Sequence, residues 1–274
     1  MSVTAALPAM IMGSPHRLPG LPSELCWDDG APLDVNAACA QWDMLREAVE
    51  RCVGEVLVLE PGLLARSTTF VRDLGLAIDG SLVLLRPAGL RGLLEPPSFA
   101  RMLRSSGIDL ADGPLPALDG GNVMADHHGR LLVGLCGEPT SSLRAAVDAL
   151  KVRTGRTAIG VPLAGGRWPH LDMALADLGG RGWLVHPEAL AGYDRTDAAW
   201  REVFAGRPVI EIAPDEANGL ACNVLVAGDV VIGPPVGACT RRRVEALGFR
   251  YEAVDVSELV KAGGGVHCLT LELG

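Results

Sequence analysis

Apolar positions in this chain fall mainly into short alternating runs, and pairs of these runs flank turn residues. "TTFVRDLGLAIDGSLVLLRP" (68–87) shows the pattern most clearly, with two strands predicted on either side of Asp79-Gly80, a strong hairpin signal. It returns in "GGNVMADHHGRLLVGL" (120–135) around His128-Gly129, in "HLDMALADLGGRGWLVHP" (170–187), and in "NVLVAGDVVIGPP" (223–235) around Gly228-Asp229. Between the hairpins the spacing changes to that of helices. "VNAACAQWDMLREAVERCV" (35–53) predicts a helix stopped by Gly54, and others are predicted in 95–107, 141–152, 187–206 and 237–249. "PAMIMGSP" (8–15) and "EVLVLEP" (55–61) read as single strands.

A hairpin followed by a helix thus recurs roughly every 50 residues. Two architectures accommodate that period: a closed pseudosymmetric array such as a propeller, or an open α/β sheet of irregular order. In the closed array the last run, "GGGVHCLTLEL" (263–273), lies beside "MIMGSP" and completes a unit that begins at the N-terminus. No low-complexity segment interrupts the series, so a single domain over 1–274 is expected.

Composition narrows the functional classes. Aromatic residues are only 4% of the chain, so Leu, Val and Ala must fill the core. The net charge of −9 disfavours a nucleic-acid or anionic-membrane surface and suits a cationic small molecule. "TRRRVEAL" (240–247) is expected to be a solvated helix face, and His127-His128 a solvated turn. No run of apolar residues is long enough to span a membrane, and the N-terminus lacks the basic start of a secretory signal. The seven cysteines are scattered without a C-x-x-C pair, which disfavours a zinc ribbon and points to free thiols in a reducing cytoplasm.

Several ionisable residues stand where strands should be apolar. Asp73 is expected within a strand and Asp119 at the start of one; His170 and Asp172, two apart, would share a strand face. Cys268 is expected on the final strand, with His267 facing away from it. Each has an ordinary reading: Asp73 as partner of Arg72, Asp119 as a turn residue, Asp172 as a helix cap, Cys268 as core. Together they fit one chemistry. Carboxylates grip a planar cation, a thiolate attacks its central carbon, and a histidine moves the protons.

Read in order, "AQWDMLREAV" (40–49), 68–87, "LDGGNVM" (118–124), "HLDM" (170–173), "NVLVAGDVVIGP" (223–234) and "GGGVHC" (263–268) resemble the guanidine-modifying superfamily, or penteins. These include dimethylarginine dimethylaminohydrolase, arginine deiminase and the amidinotransferases. The resemblance implies a five-bladed pseudosymmetric α/β propeller of repeated ββαβ units. It implies Cys268 as nucleophile, forming a thiouronium intermediate, with His170 as acid and base and Asp119 supporting it. Asp73 and Asp172 would hold the guanidinium nitrogens, and no metal or other cofactor is required.

The pattern departs from the family at the distal end of the site. Where a family arginine reads the substrate α-carboxylate, "GLCGEPTSS" (134–142) carries Glu138, and "RGLLE" (91–95) keeps only Arg91 of a second arginine-rich stretch. The N-terminal loop of the dimethylarginine hydrolases has "CWDD" (26–29) as its nearest counterpart. The expected function is therefore hydrolysis of a guanidino C–N bond in a small guanidino compound, on a substrate lacking the usual α-carboxylate. Glu138 and Arg91 are its candidate tail contacts; realignment with Arg130, Arg144 or Arg91 taking over the carboxylate is the alternative. An amidinotransferase, in which an amine resolves the intermediate, would use the same residues; a non-enzymatic binding module would not need Cys268, His170 and Asp119 together. Assembly as a homodimer stays open.

Overall fold

The computed structural model describes residues 9–16, 18, 32–62, 66–108, 110 and 116–273. The chain runs through β1 (Met10–Gly13), α1 (Val35–Val53) and β2 (Val56–Leu59), then β3 (Gly75–Ile78), β4 (Ser81–Leu84) and α2 (Arg91–Ser105). Next come β5 (Val123–Ala125), β6 (Leu131–Cys136), α3 (Ser141–Thr154) and β7 (Ala158–Leu163). They are followed by β8 (Leu175–Asp177), β9 (Trp183–Val185), α4 (Ala198–Phe204), β10 (Val209–Glu211) and the short α5 (Pro214–Ala217). The chain ends with β11 (Leu225–Ala227), β12 (Val230–Gly233), α6 (Ala238–Ala246), β13 (Arg250–Ala253), α7 (Ser257–Lys261) and β14 (Thr270–Glu272).

Among the described residues the strands form five separate sheets, ordered β14-β1-β2, β3-β4, β5-β6-β7, β10-β9-β8 and β11-β12-β13. In each three-stranded sheet the central strand pairs antiparallel with the strand that opens the unit and parallel with the strand that closes it. Parallel pairing requires a crossover, and the helix of each unit supplies it. The sequence pattern marks the hairpins and helices but not β7, β10 or β13. Those closing strands carry Gly160 and Pro162, Glu211, or Arg250 and Glu252 where an alternating apolar run would be sought. The expected pairing of the chain's two ends is present, with Ile11 opposite Leu271 and Met12 opposite Thr270.

Helix α1 has the predicted bounds. Asp34 caps it by accepting the N–H groups of Asn36 and Ala37, and Gly54, at φ 83°, donates to Glu50 O. Helix α2 begins at Arg91, four residues before the predicted start at Glu95, despite Pro96 and Pro97 inside it. Apolar residues from neighbouring sheets share clusters: Ile78 and Val83 pack with Val123, Leu131 and Val133, and Ile11 and Leu271 with Val71, Leu74 and Phe99. None of the described helices is long and apolar enough to cross a membrane. The three arginines of α6 are exposed, Arg241 pairing with Glu245 while Arg243 reaches β10, its Nη2 donating to Val209 O at 3.0 Å, and both histidines of the 127–128 turn are exposed.

Each unit is entered through a tight turn just before its first strand, and the polar candidates sit in these turns. Asp73 lies in the 3₁₀ turn Val71–Leu74, and Asp172 in Leu171–Met173, immediately after His170. Asp119 precedes the 3₁₀ turn Gly120–Asn122, and Cys268 lies in the turn 266–269 before β14. The strand placements expected for Asp73, His170, Asp172 and Cys268 are thereby corrected: their N–H groups or neighbours bond within the turn (Asp73 N–H to Phe70 O, Met173 N–H to His170 O, Leu269 N–H to Gly265 O), so the ladders start only afterwards.

Hydrogen bonds link these turns in succession. Asp73 Oδ1 accepts from Gly121 N–H at 3.4 Å, and Asn122 Oδ1 from Leu171 N–H at 3.1 Å. Asn223 Nδ2 donates to Asp172 O at 3.2 Å, while Asn223 Oδ1 accepts from Cys268 N–H at 3.1 Å. Arg72 N–H donates to Cys268 O at 3.3 Å, leading from the last turn back to the first.

Candidate active site

Because the turns are cross-linked, side chains distant in sequence meet at one centre. Gly121 reports the crowding: a Cβ there would lie 2.8 Å from His170 Nδ1 and 3.2 Å from both Asp172 Oδ1 and Asp73 Oδ1. Only glycine leaves that space open. His170 Nδ1 is 3.7 Å from Asp73 Oδ1. Donor atoms of Asp73, Asp119 and His170 all lie within 4.8 Å of one another. A cation could sit among such donors, and Arg91 already places positive charge there, with Nη1 3.0 Å from Asp73 Oδ2.

Cys268 is buried, 4% exposed. Its Sγ lies 3.5 Å from Asp172 Oδ2 and accepts from Asn223 Nδ2 at 3.1 Å. Burial pushes the thiol well above its ordinary range, and the carboxylates of Asp172 and Asp73 push it further; a Gly265 N–H and the Asn223 amide work the other way. Asp172 is held below the usual carboxylate range: burial alone would raise it, but the hydrogen bond from His267 and the nearby cationic groups outweigh that cost. Its Oδ2 is bound by His267 Nδ1 at 3.0 Å, whereas buried Oδ1 has no hydrogen-bond partner among the described residues and is the oxygen directed toward Gly121. Asp119 is raised by burial and by Asp73, with His170 and Arg91 opposing.

The structure therefore brings together Cys268, His170, Asp119, Asp73, Asp172 and Arg91. Asp73 pairs with Arg91 rather than with its neighbour Arg72, and Arg91 is shared with Glu95, whose Oε2 lies 3.2 Å from Nε. Glu138 stands apart on the exposed bend after β6, with no hydrogen bond or ion pair to the site among the described residues. The stretch at 26–29, including Cys26, lies outside the described residues.

Two contributors were not expected from sequence. Strand alternation predicts His267 facing away from Cys268; it lies instead in a turn, where alternation does not hold, and its ring binds Asp172. Asn223 is not among the residues the sequence singles out. The signal was present: "RDLGLAI", "GNVMA", "LDMALAD", "CNVLVAG" and "HCLTLEL" each place one short polar or thiol side chain before an apolar alternation. In these short motifs Asn223 takes the position held by Asp73, Asn122, Asp172 and Cys268 in the others.

Comparisons with known proteins show a shared fold. The chain superposes on the N-terminal domain of ArgZ, a cyanobacterial arginine dihydrolase whose cysteine-to-serine variant was solved with substrate, at a TM-score of 0.82, 22% identity, and coverage of 96% of this chain and 97% of that one. It also superposes on a histidine-to-glycine dimethylarginine dimethylaminohydrolase carrying an S-methyl-L-thiocitrulline adduct, at a TM-score of 0.76, 22% identity, and coverage of 96% and 98%. These neighbours are pentein-type guanidine-modifying enzymes, and the mixed α/β fold of this chain is theirs.

In sequence, the chain is 27% identical over 248 residues to the N(G),N(G)-dimethylarginine dimethylaminohydrolase of Mycobacterium tuberculosis, covering 90% of this chain and 79% of that protein. It is 25% identical over 241 residues to the bifunctional arginine dihydrolase/ornithine cyclodeaminase ArgZ of Synechocystis, covering 86% of this chain but 33% of that longer protein. An uncharacterized protein of Caenorhabditis elegans is 27% identical over 247 residues, covering 89% of this chain and 86% of its own. No family model matches the chain.

Proposed function

We propose that this chain is a single catalytic unit that hydrolyses a guanidino C–N bond through a covalent adduct on Cys268. The observation that carries the reading is the convergence of two carboxylates and a histidine on the space left open by Gly121, with a buried thiol 3.5 Å from the second oxygen of one of those carboxylates. Five sheets with cross-linked lead-in turns support a five-bladed propeller with this centre at the axis.

In the proposed reaction, the free site holds a neutral thiol beside excess negative charge. A guanidinium seated on Asp172 Oδ1 and Asp73 offsets that charge and favours the thiolate. The thiol proton passes to His170, and sulfur adds to the guanidinium carbon. Breaking the C–N bond sends the nitrogen out as an amine, protonated by His170, and leaves a thiouronium on Cys268. His170 then takes a proton from water; the hydroxide adds to the same carbon, and collapse expels the sulfur, which regains a proton and leaves a ureido product. Asp119 supports His170.

The substrate tail follows from what surrounds Arg91. Its guanidinium is already engaged by the carboxylates of Asp73 and Glu95, which compete with a substrate carboxylate for it. A guanidino compound without an α-carboxylate fits these charges best. The test is turnover of methylarginines, arginine, agmatine and guanidino-alcohols with product analysis, alongside labelling by a haloacetamidine. Ureido product and modification confined to Cys268 support the hydrolase. Transfer of the amidino group to an added amine replaces it with the transferase reading, and a clear preference for methylarginine refutes the tail assignment.

A further inference from the structure

Asn223 is fully buried, at 0% exposure. A buried amide is costly unless its hydrogen bonds are made, and here they are directed at the reacting thiol. Oδ1 accepts from Cys268 N–H at 3.1 Å, Nδ2 donates to Cys268 Sγ at 3.1 Å and to Asp172 O at 3.2 Å, and the backbone oxygen accepts from His267 N–H at 3.4 Å. A Cβ on Gly265 would lie 2.8 Å from Oδ1, so the glycine run allows the amide this close approach.

Resting on the hydrolase reading above, we infer that Asn223 is a functional member of the site: its amide N–H stabilises the Cys268 thiolate while its oxygen fixes the backbone that carries the sulfur. Asn122 separates the two tasks. Its Oδ1 likewise accepts an N–H of the next unit, from Leu171 at 3.1 Å, which is the scaffold task alone. The donation to sulfur is what Asn223 adds. Asp172 Oδ2 lies 3.5 Å from the same sulfur and opposes its ionisation. A neutral donor offsets that repulsion without adding a cation that would compete with a guanidinium for the carboxylates.

The test is the pH dependence of Cys268 alkylation by iodoacetamide, followed by mass spectrometry, in the wild type, Asn223→Ala and Asn223→Asp. Alanine removes the donor without adding charge; aspartate keeps the acceptor for Cys268 N–H. In both variants the alkylation midpoint is expected to rise by about one pH unit or more. kcat/KM on the compound selected by the guanidine panel is expected to fall about tenfold or more. An unchanged midpoint in Asn223→Ala overturns the inference. Collapse of the melting temperature in both variants also overturns it, because Asn223 is then scaffold. Retained turnover in Cys268→Ala sinks the hydrolase reading instead; the alkylation profile still reports on Asn223.

Discussion

His267 and Asp172 show how much a turn changes the meaning of a residue. The ring occupies one carboxylate oxygen and leaves the other directed at the open space beside Gly121. His267→Ala frees Oδ2 to rotate toward the thiol. kcat/KM is expected to fall about tenfold or more through loss of oriented charge, with most of the change in KM, and His267→Asn should recover part of it because its amide can replace Nδ1–H. Steady-state kinetics of the two variants checks this.

Buried Asp126, in the turn between β5 and β6, belongs to the stability of the scaffold. Burial alone would raise its carboxyl, but Arg130, with Nη2 2.6 Å and Nε 2.7 Å from Oδ2, and the N–H groups of Arg130 and His128 hold it below the ordinary carboxylate range. A depressed folded pKa contributes stability above the unfolded value and loses it as pH falls through the folded one. Asp126→Asn is therefore expected to be less stable than the wild type by roughly 1.5–3 kcal/mol near neutrality, with the gap closing below the ordinary carboxylate range. Urea unfolding at several pH values measures it.

At the scale of elements, the lead-in turns are fixed by close contacts that only small residues permit. In the structure Gly264 makes room for the protein: a Cβ would sit 2.4 Å from the Phe70 ring and 3.0 Å from Cys268 Cβ. Gly264→Ala must displace one of them. We expect the protein to fold with reduced stability and turnover to fall by more than stability alone explains, with crystallography showing a shifted Cys268. The repeated hairpin-helix pattern was legible because hairpins and helices have local periods; β7, β10 and β13 were not, because their pairing is made across a crossover.

At the scale of the whole molecule, the chain's ends are held in one sheet, so β14 both positions Cys268 and completes the core. Leu271, fully buried, lies opposite Ile11 and packs with Val71, Leu74 and Phe99. Leu271→Ala is expected to cost about 2–5 kcal/mol, read as a lower urea midpoint with an unchanged slope. Local fraying confined to the last strand would contradict this role.

The sequence alone determined the α/β class, the repeat of about 50 residues, the pairing of the chain's ends and the types of side chain gathered at the site. These follow from apolar periodicity, turn chemistry and the repetition of one short motif. Tertiary structure alone decided that Asp73 meets Arg91, that His267 turns toward Asp172 and that Asn223 reaches the sulfur of Cys268. These contacts join residues 18, 95 and 45 positions apart through 3₁₀ and irregular turns. There side-chain direction follows the hydrogen bonds each turn makes to its neighbours, which no local period encodes.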